Sequence, residues 1–121
     1  MFITLVAAAL SAALAQPNAL TQEEHALAVS EVQESAALFV DAVLDDDHQA
    51  ATAARKEFLR EAGEYGELAR SAGGRDAAAA VNVWALEAQK VSGVLDMRPF
   101  WDAAGRAVAA QDRLTRELAA E

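Results

Sequence analysis

Three groups of side chains in this sequence have the types and spacing to do chemistry. Asp45-Asp46-Asp47-His48 gathers three carboxylates and an imidazole within four residues. Such a set can hold Ca²⁺, or a transition metal through the imidazole. The central Gly and terminal Glu of an EF-hand loop are absent, however, and a tight turn followed by a helix N-cap accounts for the same residues. The second group is the two histidines, His25 and His48. On one helix they stand about 35 Å apart at 1.5 Å per residue, too far to share a site within one chain. No Glu-x-x-His pair occurs, so the ligand set of a di-iron carboxylate bundle is missing. Each histidine is expected to be a solvated residue near a helix start.

The third group is a run of acids. Between Gln16 and Ala50 stand Glu23, Glu24, Glu31, Glu34, Asp41, Asp45, Asp46 and Asp47, with no Lys or Arg among them. Most of the net charge of -9 therefore lies in the first third of the chain. Glu24, Glu31, Glu34 and Asp41 recur at spacings that bring them to one helical face. Two readings of that face compete: a solvated surface paired with Arg55, Lys56 or Arg60 of a neighbouring helix, or a docking face for a basic protein partner, where charge sets encounter rate and register. Acid–base catalysis by paired carboxylates would need a cleft that separates their environments, and a narrow, Ala-rich bundle has little room for one.

Composition removes other classes. The absence of cysteine excludes disulfides, thiol chemistry and haem attachment through thioethers. The densest basic patch, Arg55-Lys56 with Arg60, is interleaved with Glu57 and Glu61. That arrangement disfavours both nucleic acid and anionic membrane surfaces, which need clustered cations. No nucleophile–base pair or phosphate-binding loop is present, so neither an enzyme nor a cofactor is expected.

The elements that position these residues follow from periodicity. Residues 1–15 read as a signal peptide: Phe2 to Leu14 is mostly apolar, and Ala13-Leu14-Ala15 is a small-x-small site for cleavage after Ala15. Its roughly 14 apolar residues fall short of the ~20 needed to span a bilayer. Residues 16–121 then form one helical domain. Thr21 and Glu24 match a capping box, and Val29, Val32, Ala36, Phe39 and Val43 lie on one face of a first helix, widened by Val40 and Leu44. The acidic triplet turns the chain into a second helix, although one continuous helix is the alternative. The second helix carries Ala51, Ala54, Phe58, Ala62, Tyr65 and Ala69 inward and ends at Gly73-Gly74. Asp76 is expected to cap a third helix with Ala77, Ala80 or Val81, Trp84, Ala88, Val91 and Leu95 on its buried face, ending near Asp96. Pro99 opens a fourth, which carries Phe100, Trp101, Ala104, Val108, Gln111, Leu114 and Leu118 at helical spacing and the pairs Asp102–Arg106 and Asp112–Arg116 at (i, i+4).

Short connections make sequential helices antiparallel neighbours, which predicts an all-α, up-down-up-down four-helix bundle. Level matching across the Gly73-Gly74 turn sets Trp84 beside Gly63, so Gly63 and Gly66 are expected to make room for the indole. Phe100 and Trp101 are adjacent, and adjacent residues cannot both point inward. One of them is expected to be partly exposed as a contact point. Leu20-Thr21-Gln22-Glu23-Glu24 resembles the LTxxQ motif of small periplasmic helical stress proteins, with Glu24 where that motif has Gln. Leu114-Thr115-Arg116-Glu117-Leu118 departs at the same position, and no membership is drawn from two shared residues.

The expectation is an exported protein, periplasmic or secreted, acting by non-covalent interaction as an adaptor, accessory subunit or inhibitor-like partner. Its candidate contact residues are Glu24, Glu31, Glu34, Asp41, Phe100 and Trp101. The alternative is a divalent-cation-responsive or stress-related binding protein using Asp45–His48. Ala-rich faces also permit close packing between chains, so a homodimer is compatible with the sequence.

Overall fold

The structure, a computed structural model, describes residues 20–120. The expected signal peptide and most of the lead-in after it lie outside the described residues. Within them the chain is an all-α bundle of four helices: α1 (Gln22–Leu44), α2 (His48–Ser71), α3 (Arg75–Lys90) and α4 (Arg98–Ala120). A single 3-10 turn, Val94–Asp96, precedes α4. Among the described residues, no helix is long and apolar enough to cross a membrane.

Each helix boundary has a local cause. The Glu24 N–H donates to Thr21 Oγ1 at 3.0 Å and the Thr21 N–H to Glu24 Oε1 at 3.2 Å, the reciprocal capping box. At the other end of α1, Asp46 turns into the left-handed region with φ 55°. The Asp47 N–H folds back onto the Ala42 carbonyl, and the Asp47 side chain accepts the Ala50 N–H at 3.0 Å. The first two helices are therefore separate. Gly73, at φ 80°, makes the equivalent left-handed step after α2. Gly74 is needed for space, because a Cβ there would stand 2.4 Å from Leu114 Cδ2.

Three local expectations are corrected. Gly74, not Asp76, is the N-cap of α3, and it offers no side chain; Asp76 lies in the first turn, where its charge suits the helix dipole. α3 also ends at Lys90, short of Asp96. The Arg55 guanidinium of α2 bonds the carbonyls of Ala88, at 3.1 Å, and Val91, satisfying acceptors that a further turn would have used. Leu95 consequently sits outside the helix, 97% exposed, and Met97 is buried in its place. Finally, Trp84 does not use the glycines. Its ring packs on Phe58 at 4.9 Å and Phe100 at 5.9 Å. A Cβ on Gly63 would meet nothing within 4 Å, and one on Gly66 only Arg70 of its own helix.

Sequential helices pack as antiparallel neighbours, and α4 returns to α1, which closes an up-down-up-down ring. The α1–α4 seam is the most sparsely packed of the four. Alanines line the helix interfaces while Phe39, Phe58, Trp84 and Phe100 fill the centre. Their rings meet edge-on or tilted at 4.9–6.3 Å, the geometry that aromatic quadrupoles favour.

Candidate functional site

Helix α1 presents Glu23, Glu34 and Asp41 to solvent, with Glu24 and Glu31 partly covered. Among the described residues none of the five is in an ion pair. The bases expected to neutralise them are engaged elsewhere. Arg55 holds the end of α3 and lies over the Phe39 ring at 5.3 Å. Arg60 turns back on its own helix, bonding Glu57, Glu61 at 2.8 Å and Glu64 at 2.7 Å. Its hydrogen bond holds the Glu57 carboxyl below the usual carboxylate range. Lys56 is exposed and forms no ion pair among the described residues. The pairing of this face with Arg55, Lys56 or Arg60 is thus corrected: among the described residues none of the three reaches an acid of α1.

The seam between α1 and α2 adds to the unbalanced charge. One carboxylate oxygen of Glu31, Oε1, is buried without a hydrogen-bond partner. Burial pushes the Glu61 carboxyl up, Arg60 opposes this, and Glu31 is among the carboxylates that reinforce it. Two apolar side chains, Leu27 and Leu38, stand exposed among these acids. A shallow depression lined by Ser30, Gln33, Glu34 and Ala37 marks the side of α1 nearer α4. Acids, leucines and small residues thus share the exposed side of α1.

The adjacent aromatics divide as expected. Phe100 is buried against Phe39, while Trp101 is 52% exposed. Trp101 shares its end of the bundle with exposed Leu44, Val94 and Leu95. The expected Asp102–Arg106 and Asp112–Arg116 pairs do not close, so these arginines of α4 are unpaired among the described residues.

At Asp45–His48 the geometry is that of a turn. Asp47 is committed to capping α2, and Asp46 meets His48 at 3.5 Å on an open surface. Among the described residues no three His, Cys, Asp or Glu side chains are gathered as a metal ion would need.

His25 overturns the expectation of a solvated residue. It is fully buried between α1, α2 and α4. Its Nε2 lies 2.7 Å from the Tyr65 hydroxyl and its Nδ1 2.9 Å from Thr115 Oγ1. Thr115 donates its own proton to the Gln111 carbonyl at 3.1 Å. With that proton committed, Thr115 can only accept from His25. Nδ1 therefore carries the hydrogen and Nε2 accepts from Tyr65, which assigns the neutral tautomer. Burial holds the imidazole below its ordinary value and pushes the Tyr65 phenol up to about 12, with Gln111 opposing in part. The signal was present in the sequence, because His25 continues the face of Val29, Val32 and Ala36. Its partners, 40 and 90 residues away, were not legible there.

The chain matches no family model, and no match was found among curated proteins or solved structures.

Proposed function

We propose that this protein acts by non-covalent association, presenting the acidic face of α1 to a basic protein surface, and that it does so as an exported protein in a periplasm or outside the cell. The observation that carries the reading is the absence of ion pairs, among the described residues, for the acids of α1, while Arg55 and Arg60 are committed elsewhere. Carboxylates left without counter-charges raise encounter rates with a cationic partner and fix its register. The exposed Leu27 and Leu38 supply apolar contact between them. The reading is non-enzymatic: His25 and Tyr65, the groups best suited to proton exchange, are buried against each other. No observation favours the cation-responsive alternative.

The test is a crosslinked pull-down from the native exported fraction, beside a variant with Glu24, Glu31, Glu34 and Asp41 changed to Gln. Glutamine at position 24 still completes a capping box, so the variant should fold. A partner captured by the wild type and lost by the variant supports the reading. Equal capture by both would remove the acidic face from the mechanism.

A further inference from the structure

Between Asp76 and Glu87, helix α3 carries no charged residue. Its outward side nevertheless has a regular pattern. Asp76, Ala79, Val83, Leu86 and Lys90 recur at spacings of 3, 4, 3 and 4, one stripe on the side opposite buried Ala77, Val81, Trp84 and Ala88. All five are exposed, Val83 by 43% and Leu86 by 47%. A surface helix ordinarily turns polar and charged residues to water, whereas this one turns out a heptad seam of the kind that packs against another helix.

We infer that the stripe pairs with itself, α3 lying antiparallel to α3 of a second copy about a twofold axis that crosses the helices at Val83. Asp76 and Lys90 each stand 7 residues from Val83, so each Asp76 meets Lys90 of the other copy. Ala79 and Leu86, 4 and 3 residues from the axis, oppose each other, a small side chain beneath a large one. Val83 lies against Val83. Charge and size therefore both match, and each match occurs twice per dimer, as a twofold contact requires.

Neither α1 nor α4 has this property. The outward stripe of α1 would set Glu23, Glu34 and Asp41 against one another. On α4 the outward charges are symmetric about the middle of the helix, so an antiparallel pair would place Arg98 on Arg116 and Asp102 on Asp112. The charges of α3 are also free to pair between copies. Asp76 is in no ion pair among the described residues, and the side chain of Lys90, 74% exposed, meets only Glu87 at 3.4 Å.

The ring of helices puts α3 diagonally across from α1. In the dimer the two acidic faces consequently point away from each other, farther apart than the screening length of about 8 Å at physiological salt. Both stay open to a partner, which extends the reading above without resting on it. From Asp76 to Lys90 the stripe is about 21 Å long and one helix, about 10 Å, wide. That is smaller than a standard interface, so the pairing is weak, half dissociated on the order of 100 μM.

Sedimentation equilibrium in about 0.15 M salt, from about 10 μM to about 1 mM protein, tests this. The wild type should move from monomer towards dimer mass over that range. Asp76→Lys and Lys90→Glu, each at an exposed position, should each stay monomeric, since like charges then meet twice. An equimolar mixture of the two should associate again, because the reversed charges face opposite ones. The variant with Glu24, Glu31, Glu34 and Asp41 changed to Gln should associate no less than the wild type. The chain has no cysteine of its own, so Val83→Cys gives a single thiol at the axis. On mild oxidation it should link two copies at least about tenfold faster than Ala109→Cys on the exposed side of α4. A wild type that stays monomeric, a dimer that neither reversal disturbs or that the Gln variant loses, a mixture that stays monomeric, or equal linking at the two cysteines would overturn the inference. None of these results alters what the pull-down says about the acidic face.

Discussion

A neutral imidazole sealed between three helices fixes the sign of one pH response. His25 is held below its ordinary value by burial, so between that depressed value and about 6.5 the unfolded chain binds the proton and the folded chain does not. Stability is therefore complete above about pH 6.5 and falls as the pH drops, by up to about 1.4 kcal/mol per unit. No charged group of α2, α3 or α4 offsets this, since burial is the whole cause of the shift. Glu61 acts with the opposite sign, because its raised carboxyl favours the fold as pH falls through its own window. The expected outcome is that urea unfolding of the wild type shows declining stability from pH 7 to 5, and that His25→Gln flattens the decline. An unchanged slope in the variant would show that His25 is not its source. At this scale the sequence was half legible: the helical spacing marked position 25 as inward, but the polar residue type argued outward. Only Tyr65 and Thr115, brought in by other helices, make burial tolerable.

Among the elements, turns were more legible than helix ends. The acidic triplet and the glycine pair announce their turns, because left-handed backbone and N-capping are local demands that few residue types meet. The end of α3 was not legible. It depends on Arg55, 33 residues away, reaching the Ala88 carbonyl. The glycines show the same division between local and tertiary causes. Gly63 was expected to make room for Trp84, yet nothing lies near its Cβ position. Gly63→Ala should therefore stabilise α2 by about 1 kcal/mol. Gly74→Ala should destabilise, since its Cβ would strike Leu114 and crowd the Ala69 carbonyl. Thermal unfolding of the two variants checks both signs, and a destabilised Gly63→Ala would return that position to a packing role.

For the whole molecule, topology followed from connection length alone. Three short links between four amphipathic segments leave antiparallel neighbours as the compact arrangement. What the sequence withheld was the distribution of counter-charge. Its acids and bases are in view, but which of them meet depends on Arg55 reaching the end of α3 and Arg60 turning back along α2, neither of them to α1. The same partition governs the tryptophans. Trp84 is enclosed among Phe58 and Phe100 with its indole N–H unpartnered, whereas Trp101 lies half in water at one end of the bundle. The protein thus carries two intrinsic fluorophores with separate duties. Trp84, in apolar surroundings without a hydrogen bond, emits to the blue and shifts red only when the core opens. Trp101 emits to the red and is open to aqueous quenchers, so the spectrum of one sample separates opening of the core from events at that exposed end without a label.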